Sequence, residues 1–240
     1  MRETLTSHMG TVAIIPARGG SKRILRKNVK MLAGKPAIAY PIELALSSGI
    51  FEQVLVSTDD IEIAQLSRRY GAQVPFFRDP ELSNDYSITV DVMADAVERL
   101  QYQGENFEYA CCIYPVTPLL QEYRLKEALT VIKSGLWDYV FPAIEFPSPI
   151  ERGFKKGRLG GVEFSYPEFA NSRTQDIDKT FRDAGQFYFG KSTAWLEKKP
   201  ILNGVSTFLE LGKYETIDID DLEDWDMVEK LIISMKKNLL

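Results

Sequence analysis

Across residues 11–143, short apolar runs of strand length take turns with longer segments whose apolar residues recur at helical spacing, and this alternation most restricts the fold. Residues 11–15, 54–57, 74–77, 109–114 and 138–143 read as buried strands. A segment starting near Ala37, and residues 60–70, 87–100 and 121–132, read as helices. Such an order predicts an α/β fold, a three-layer, open, mostly parallel sheet with right-handed crossovers, of the Rossmann-like kind. Ligands of such sheets gather at the carboxyl ends of the strands. The alternation fails from Phe146 to about Phe181, where Pro, Gly and charged residues surround short extended pieces such as 152–156. An insertion at about 146–182, shaped as a hairpin arm, is expected there. The pattern resumes at 186–189 and 216–219 and closes with a helix from about Leu222 to Met235. With 240 residues, 45% of them apolar, one sizeable core is expected: a polar tail over 1–10, then a single domain over 11–240.

Several function classes are disfavoured. The N-terminal segment is polar and lacks the apolar run of a secretory signal, and no stretch approaches the roughly 18–20 apolar residues of a membrane span, so a cytoplasmic protein is expected. Cys111 and Cys112 are adjacent in an apolar run, where neighbours point to opposite faces; they read as buried, reduced thiols. The one histidine, His8, lies in the tail, which leaves too few ligands for a zinc site and no histidine base. A net charge of −5 argues against nucleic acid as partner.

That charge is unevenly spread. No acid occurs between Thr4 and Ile42, whereas the same span holds seven bases: Arg18, Lys22, Arg23, Arg26, Lys27, Lys30 and Lys35. A small, strongly anionic ligand is expected near this loop, which follows the first strand. Gly19 and Gly20 keep side chains out of the way of phosphate oxygens, and Arg18, Lys22 and Lys27 can neutralise a triphosphate. Neither G-x-G-x-x-G nor G-x-x-x-x-G-K-[ST] is present, and about twenty residues, 17–36, separate strand from helix. Phosphate would thus be wrapped by loop rather than seated on a helix end. The competing reading is a flexible, solvated basic loop.

Far along the chain, Asp218 and Asp220 flank Ile219 in an extended segment, so both carboxylates share one face. Such a pair suits Mg²⁺, which takes one or two protein carboxylates together with substrate phosphates. Residues 220–223 also read as a capping box opening the last helix, with Asp221 and Asp224 complementing its dipole.

The string Ile14-Ile15-Pro16-Ala17-Arg18-Gly19-Gly20-Ser21-Lys22-Arg23-Ile24-Leu25-Arg26-Lys27-Asn28, then Gly34-Lys35-Pro36, resembles the signature of the acylneuraminate cytidylyltransferases. The resemblance continues through Val56-Ser57-Thr58-Asp59, Arg78-Asp79-Pro80-Glu81-Leu82-Ser83 and Asp218-Ile219-Asp220. Octulosonate cytidylyltransferases share the fold but carry a different loop. The resemblance implies transfer of CMP from CTP to the anomeric hydroxyl of a nine-carbon sugar acid, with release of pyrophosphate. It implies catalytic roles for Arg18, Lys22 and Lys27, and nucleotide contacts for Arg18, Gly19, Gly20, Ser21, Asn28, Arg78, Ser87 and Thr89. Asp218 and Asp220 would hold the metal, and the insertion would serve contacts in a homodimer.

Sugar choice rests on other positions. Tyr114-Pro115-Val116-Thr117-Pro118 stands where relatives that use sialic acid tend to have Gln-Pro-Thr-Ser-Pro, so a changed polar handle implies a changed sugar. Residues 171–176 and 183–189 resemble the subgroup that uses pseudaminic acid. Arg173 offers a bidentate partner for the sugar carboxylate, and Gln175 and Gln186 can read N-acyl or hydroxyl groups. Phe187 and Phe189 alternate with Tyr188, which makes Tyr188 the sugar-facing candidate. N-acetylneuraminate or legionaminate as substrate, a nucleotidyl- or glycosyltransferase with another nucleotide or sugar, a non-catalytic phosphate-binding module and a structural regulator are the rival readings.

Overall fold

In the computed structural model, which describes residues 10–237, β1 (Thr11–Pro16) runs into a long loop carrying a small clip, β2 (Met31–Leu32) and β3 (Lys35–Pro36), before α1 (Ala39–Ser48). β4 (Gln53–Ser57), α2 (Ile61–Arg69), α3 (Thr89–Tyr102), β5 (Tyr109–Ile113), α4 (Glu122–Ile132) and β6 (Tyr139–Glu145) follow. The chain then forms β7 (Phe154–Lys156) and β8 (Val162–Phe164), which pair only with each other as an antiparallel hairpin. It returns through β9 (Phe181–Asp183), β10 (Phe187–Lys191), α5 (Ser192–Leu196) and β11 (Ser206–Glu210) to α6 (Leu222–Lys237). The tail expected over residues 1–10, with His8, lies outside the described residues apart from Gly10.

The main sheet has the order β11-β6-β10-β5-β1-β4, with β9 on the far half of β6. β1 is parallel to β4 and β5, and β11 to β6; β10 is antiparallel to both of its neighbours. This antiparallel strand has a consequence for the site. Its amino end, preceded by Gln186, lies at the same edge of the sheet as the carboxyl ends of β1 and β5.

Helices cover both faces because alternate strand residues are apolar on each side. On one face Ala13, Ile15, Cys111, Phe187 and Phe189 pack against Ile42 of α1, Ile63 of α2 and Leu125 of α4. On the other, Val12, Ile14, Cys112 and Tyr188 meet Met93 and Val97 of α3 and Trp195 of α5. Cys111 and Cys112 thus fall in different layers as free, buried thiols. A third cluster forms where α6 crosses the basic loop: Ile24, Leu32 and Ala37 pack on Ile219, Trp225, Val228 and Ile232. Burial of side chains of this size stabilises by about 1.5–3 kcal/mol each, so the loop carries a core of its own. The flexible, solvated reading of that loop fails for this reason.

Two expected strands do not form. Residues 74–77 meet the sheet only in the isolated bridge of Thr58 to Phe77, and Gln73 just before them bridges Leu55. Pro75 lies between the two bridges and has no N–H to give to a ladder. Residues 216–219 belong to no strand. Conversely, β11 and α5 form where the sequence pattern predicts neither strand nor helix. β11 lies at the sheet edge with only Leu209 buried, so its pattern is weak.

Candidate functional site

A cavity of about 390 Å³ opens at the carboxyl ends of β1 and β5, a size suited to a small ligand. Arg18, Ser21, Lys27 and Asn28 reach it from the basic loop, Arg78 and Ser87 from the α2–α3 connection, and Thr89 from the start of α3. Tyr114 and Thr117 enter after β5, Gln186 before β10, and Asp218 from the segment preceding α6.

The loop is shaped by its own contacts. Asn28 is buried and donates its amide to the Arg18 carbonyl at 2.9 Å, which closes the loop on itself. Arg26 has a positive φ of 54°, an unusual conformation for a side chain, and its guanidinium is tied to Asp60 and Glu62 of α2. Asp60 also caps α2, accepting the Ile63 N–H at 3.0 Å. Gly19 is required for a reason other than phosphate. Its N–H donates to Asp59 at 2.9 Å, and a Cβ there would stand 2.8 Å from the Asp60 carboxylate. Neither Gly19 nor Gly20 lines the cavity.

Lys27 links the basic loop to the acidic segment. Its ammonium donates to the backbone carbonyl of Ile219, and burial lowers its pKa while Asp220 and Asp218 pull it back up. The Asp-Ile-Asp alternation is present, with Asp218 and Asp220 exposed and Ile219 buried. Asp218 forms no hydrogen bond or ion pair among the described residues, whereas Asp220 pairs with Arg23 and does not line the cavity. The helix cap is made by different residues. Asp221 accepts the N–H groups of Glu223 and Asp224 at 2.9 Å each, and Asp224 reaches back to those of Asp220 and Asp221 at 2.9 and 3.1 Å. Capping therefore leaves the carboxylates of Asp218 and Asp220 uncommitted to the helix.

Arg78 is only 4% exposed, yet no carboxylate lies within ion-pair distance of it among the described residues. Its one side-chain hydrogen bond runs from Nε to Ser83 at 3.1 Å, and burial lowers its pKa. A desolvated cation without a counterion, facing a cavity, is suited to an anionic or acceptor-rich ligand.

Sequence reasoning missed Asp85. It lines the cavity and engages two of the expected phosphate ligands, Arg18 at 2.8 Å and Lys22, which hold its carboxyl below the usual range. Lys22 is well exposed at the rim and does not line the cavity.

At the other end, the Tyr114 hydroxyl meets Thr89 Oγ1 at 2.9 Å. Tyr188 stands behind it, edge to face with ring centroids 5.4 Å apart, and donates to Asp183. Tyr188 thus buttresses Tyr114 without lining the cavity itself. Arg173 and Gln175 are not brought there. Arg173 is exposed and pairs with Asp176 at 2.7 Å, and Gln175 lines a separate hollow of about 270 Å³ in the insertion.

Comparison with known proteins agrees with this geometry. Residues 12–145 match the family model described as Cytidylyltransferase. The chain is 42% identical to a pseudaminic acid cytidylyltransferase of Campylobacter jejuni over 93% of this chain and 96% of the relative. It is 29% identical to a CMP-N,N'-diacetyllegionaminic acid synthase of Legionella pneumophila over 93% of this chain and 97% of that one. A solved CMP:2-keto-3-deoxy-manno-octonic acid synthetase complexed with CTP shares the fold, with a TM-score of 0.71 at 16% identity over 94% of this chain and 99% of the other. With more than half of its length matched by the family model and nearly all of it by a relative of the same class, this chain belongs to the cytidylyltransferase family of nucleotidyltransferases.

Proposed function

We propose that this chain transfers CMP from CTP to pseudaminic acid. The observation that carries the reading is the 42% identity to a pseudaminic acid cytidylyltransferase across 93% of the chain. The cavity supports it, since Arg18, Lys27 and Arg78 line it together with the neutral polar groups Thr89, Tyr114 and Gln186.

In the reaction, the anomeric hydroxyl oxygen attacks the α-phosphorus of CTP, the bond from that phosphorus to the bridging oxygen breaks, and pyrophosphate leaves. Such chemistry is accelerated chiefly by positioning and charge stabilisation. Arg18, Lys22 and Lys27 bind the triphosphate and meet the charge that grows on pyrophosphate. Ser21, Asn28, Arg78 and Ser87 orient the nucleotide, with Gly19 and Gly20 shaping the loop rather than touching it. Tyr114, supported by Tyr188 and bonded to Thr89, and Gln186 face the sugar.

Asp218 and Asp220 would hold a divalent cation, Mg²⁺. The donor set fits. Asp218 is a free hard oxygen ligand at the cavity wall, and no cluster of three or more ligating side chains occurs among the described residues. Phosphate oxygens would complete the shell, which is the habit of Mg²⁺. When bound, the ion supplies positive charge against phosphate oxygens.

The hairpin exposes Phe154 and Val162 at 66% and 70%, which supports a homodimer built on this arm. Arg173 and Gln175 would then serve a second copy's sugar site. No helix among the described residues is long and apolar enough to cross a membrane.

Pyrophosphate release, measured with CTP and Mg²⁺ on pseudaminic, N,N'-diacetyllegionaminic and N-acetylneuraminic acids side by side, tests the reading. Pseudaminic acid should be strongly preferred. Comparable turnover on N-acetylneuraminic acid would overturn it.

A further inference from the structure

Residues 212–220 carry Asp218 to the cavity wall without belonging to any helix or strand. An irregular segment holds its place only through contacts made from outside it. Glu215 makes them. Its carboxylate receives Arg124 through two parallel bonds, Nε to Oε1 at 3.0 Å and Nη2 to Oε2 at 2.7 Å. The Gly212 N–H donates to Oε2 at 2.5 Å, and the Tyr123 hydroxyl donates to Oε1. Arg124 belongs to α4, lies outside the cavity lining, and is 15% exposed; it also pairs with Glu127 at 2.9 Å and lies over the Tyr123 ring, 4.9 Å from its centroid. These bonds hold the Glu215 carboxyl down at about 2, so the pair stays ionised at neutral pH.

The backbone of the same residue reaches the site. The Glu215 carbonyl accepts the Gln186 amide nitrogen at 2.8 Å. A carbonyl oxygen only accepts, so the nitrogen end of Gln186 faces it and the oxygen end is turned the other way. That oxygen takes no hydrogen bond from the described residues, although Gln186 is 4% exposed and lines the cavity. An amide oxygen open to a cavity in this way is an acceptor that matches an N–H or O–H donor on a ligand.

We propose that Arg124 is a positioning residue for sugar recognition: its fork on Glu215 fixes residues 212–216 against α4, and the Glu215 carbonyl thereby turns the Gln186 oxygen toward a donor group of the sugar acid. The inference rests on the function proposed above. A planar guanidinium is needed, because a lysine ammonium makes a point contact and cannot span both carboxylate oxygens.

The test uses the full chain with Arg124→Gln and Arg124→Lys, and Glu127→Gln as the control that removes only the exposed second partner. Arg124→Gln should raise KM for the sugar acid by roughly ten-fold, the size of a lost charge-assisted hydrogen bond, and leave KM for CTP within about two-fold. Arg124→Lys should fall between, and Glu127→Gln should match the parent. In the ligand-free protein, amide hydrogen exchange of a peptide covering 212–216 should accelerate in Arg124→Gln while peptides of β1 and β5 do not change. Unchanged exchange and unchanged sugar KM would overturn the proposal, as would parallel rises in both KM values, the mark of general loosening. Failure of the parent enzyme to use any of the sugar acids would instead count against the proposed function, and the exchange measurement would still decide whether the clamp exists.

Discussion

The ammonium of Lys27 donates to the backbone carbonyl of Ile219, a residue 192 positions further along the chain. That bond joins the basic loop to the acidic segment at the cavity wall, where the charges of Asp220 and Asp218 favour the protonated ammonium. Lys27→Met keeps the apolar stem and removes the charge. By analogy with loss of one preorganised transition-state donor, kcat/KM should fall on the order of 10²–10³. Circular dichroism should show the fold retained, and near-parental turnover would remove Lys27 from the machinery.

Asp85 occupies Arg18 and Lys22 in the ligand-free protein, so an incoming triphosphate has to displace a carboxylate from both. Exposed ion pairs of this kind are weak and screened by salt. Asp85→Asn should therefore lower KM for CTP by roughly two- to five-fold at low ionic strength, and the difference should shrink as salt screens the pair. Steady-state kinetics across a salt series reads this directly. A raised KM would mean that Asp85 orients Arg18 for the nucleotide instead of competing with it.

Much of this site could be read from the chain, and what could not has physical causes. Cys111 and Cys112 fall on opposite faces because strand period fixes it, and the same period leaves Asp218 and Asp220 exposed around Ile219. Clustered charge marked the loop before any contact was known. Pro75 explains the strand that failed, since one missing N–H decides whether a segment joins a ladder. Asp85 and the Arg124–Glu215 pair were invisible because ion pairs across 63 and 91 positions follow no periodicity. Gly19 was legible as an obligatory glycine, but its reason is the Asp59–Asp60 turn packed against it, which only the fold brings near.

The Glu215 carboxyl stands at about 2 in the folded chain, against an ordinary value of 4.5. A depressed folded pKa contributes stability above the unfolded value and loses it as pH falls through the folded one. The stability difference between the parent and Glu215→Gln should accordingly be full at pH 6 and decline as pH drops from about 4.5 toward 2. Denaturant unfolding at a series of fixed pH values measures it. A difference independent of pH over that window would mean that the carboxylate is not held by Arg124 in solution.

Arg78 presents the opposite case, a buried charge that its own chain leaves without a counterion. Holding such a group out of water works against folding, so replacing it with an apolar side chain of similar reach relieves the ligand-free protein. Arg78→Met should raise the melting temperature or leave it unchanged, although it gives up the bond to Ser83. The same change should raise KM for CTP by roughly ten-fold or more, because a charge-assisted contact is lost from the cavity. Differential scanning fluorimetry and steady-state kinetics on one preparation give both quantities. Retained stability with weakened nucleotide binding marks a residue kept for its ligand, whereas a melting temperature that falls while KM for CTP holds would make Arg78 a structural element of the α2–α3 connection.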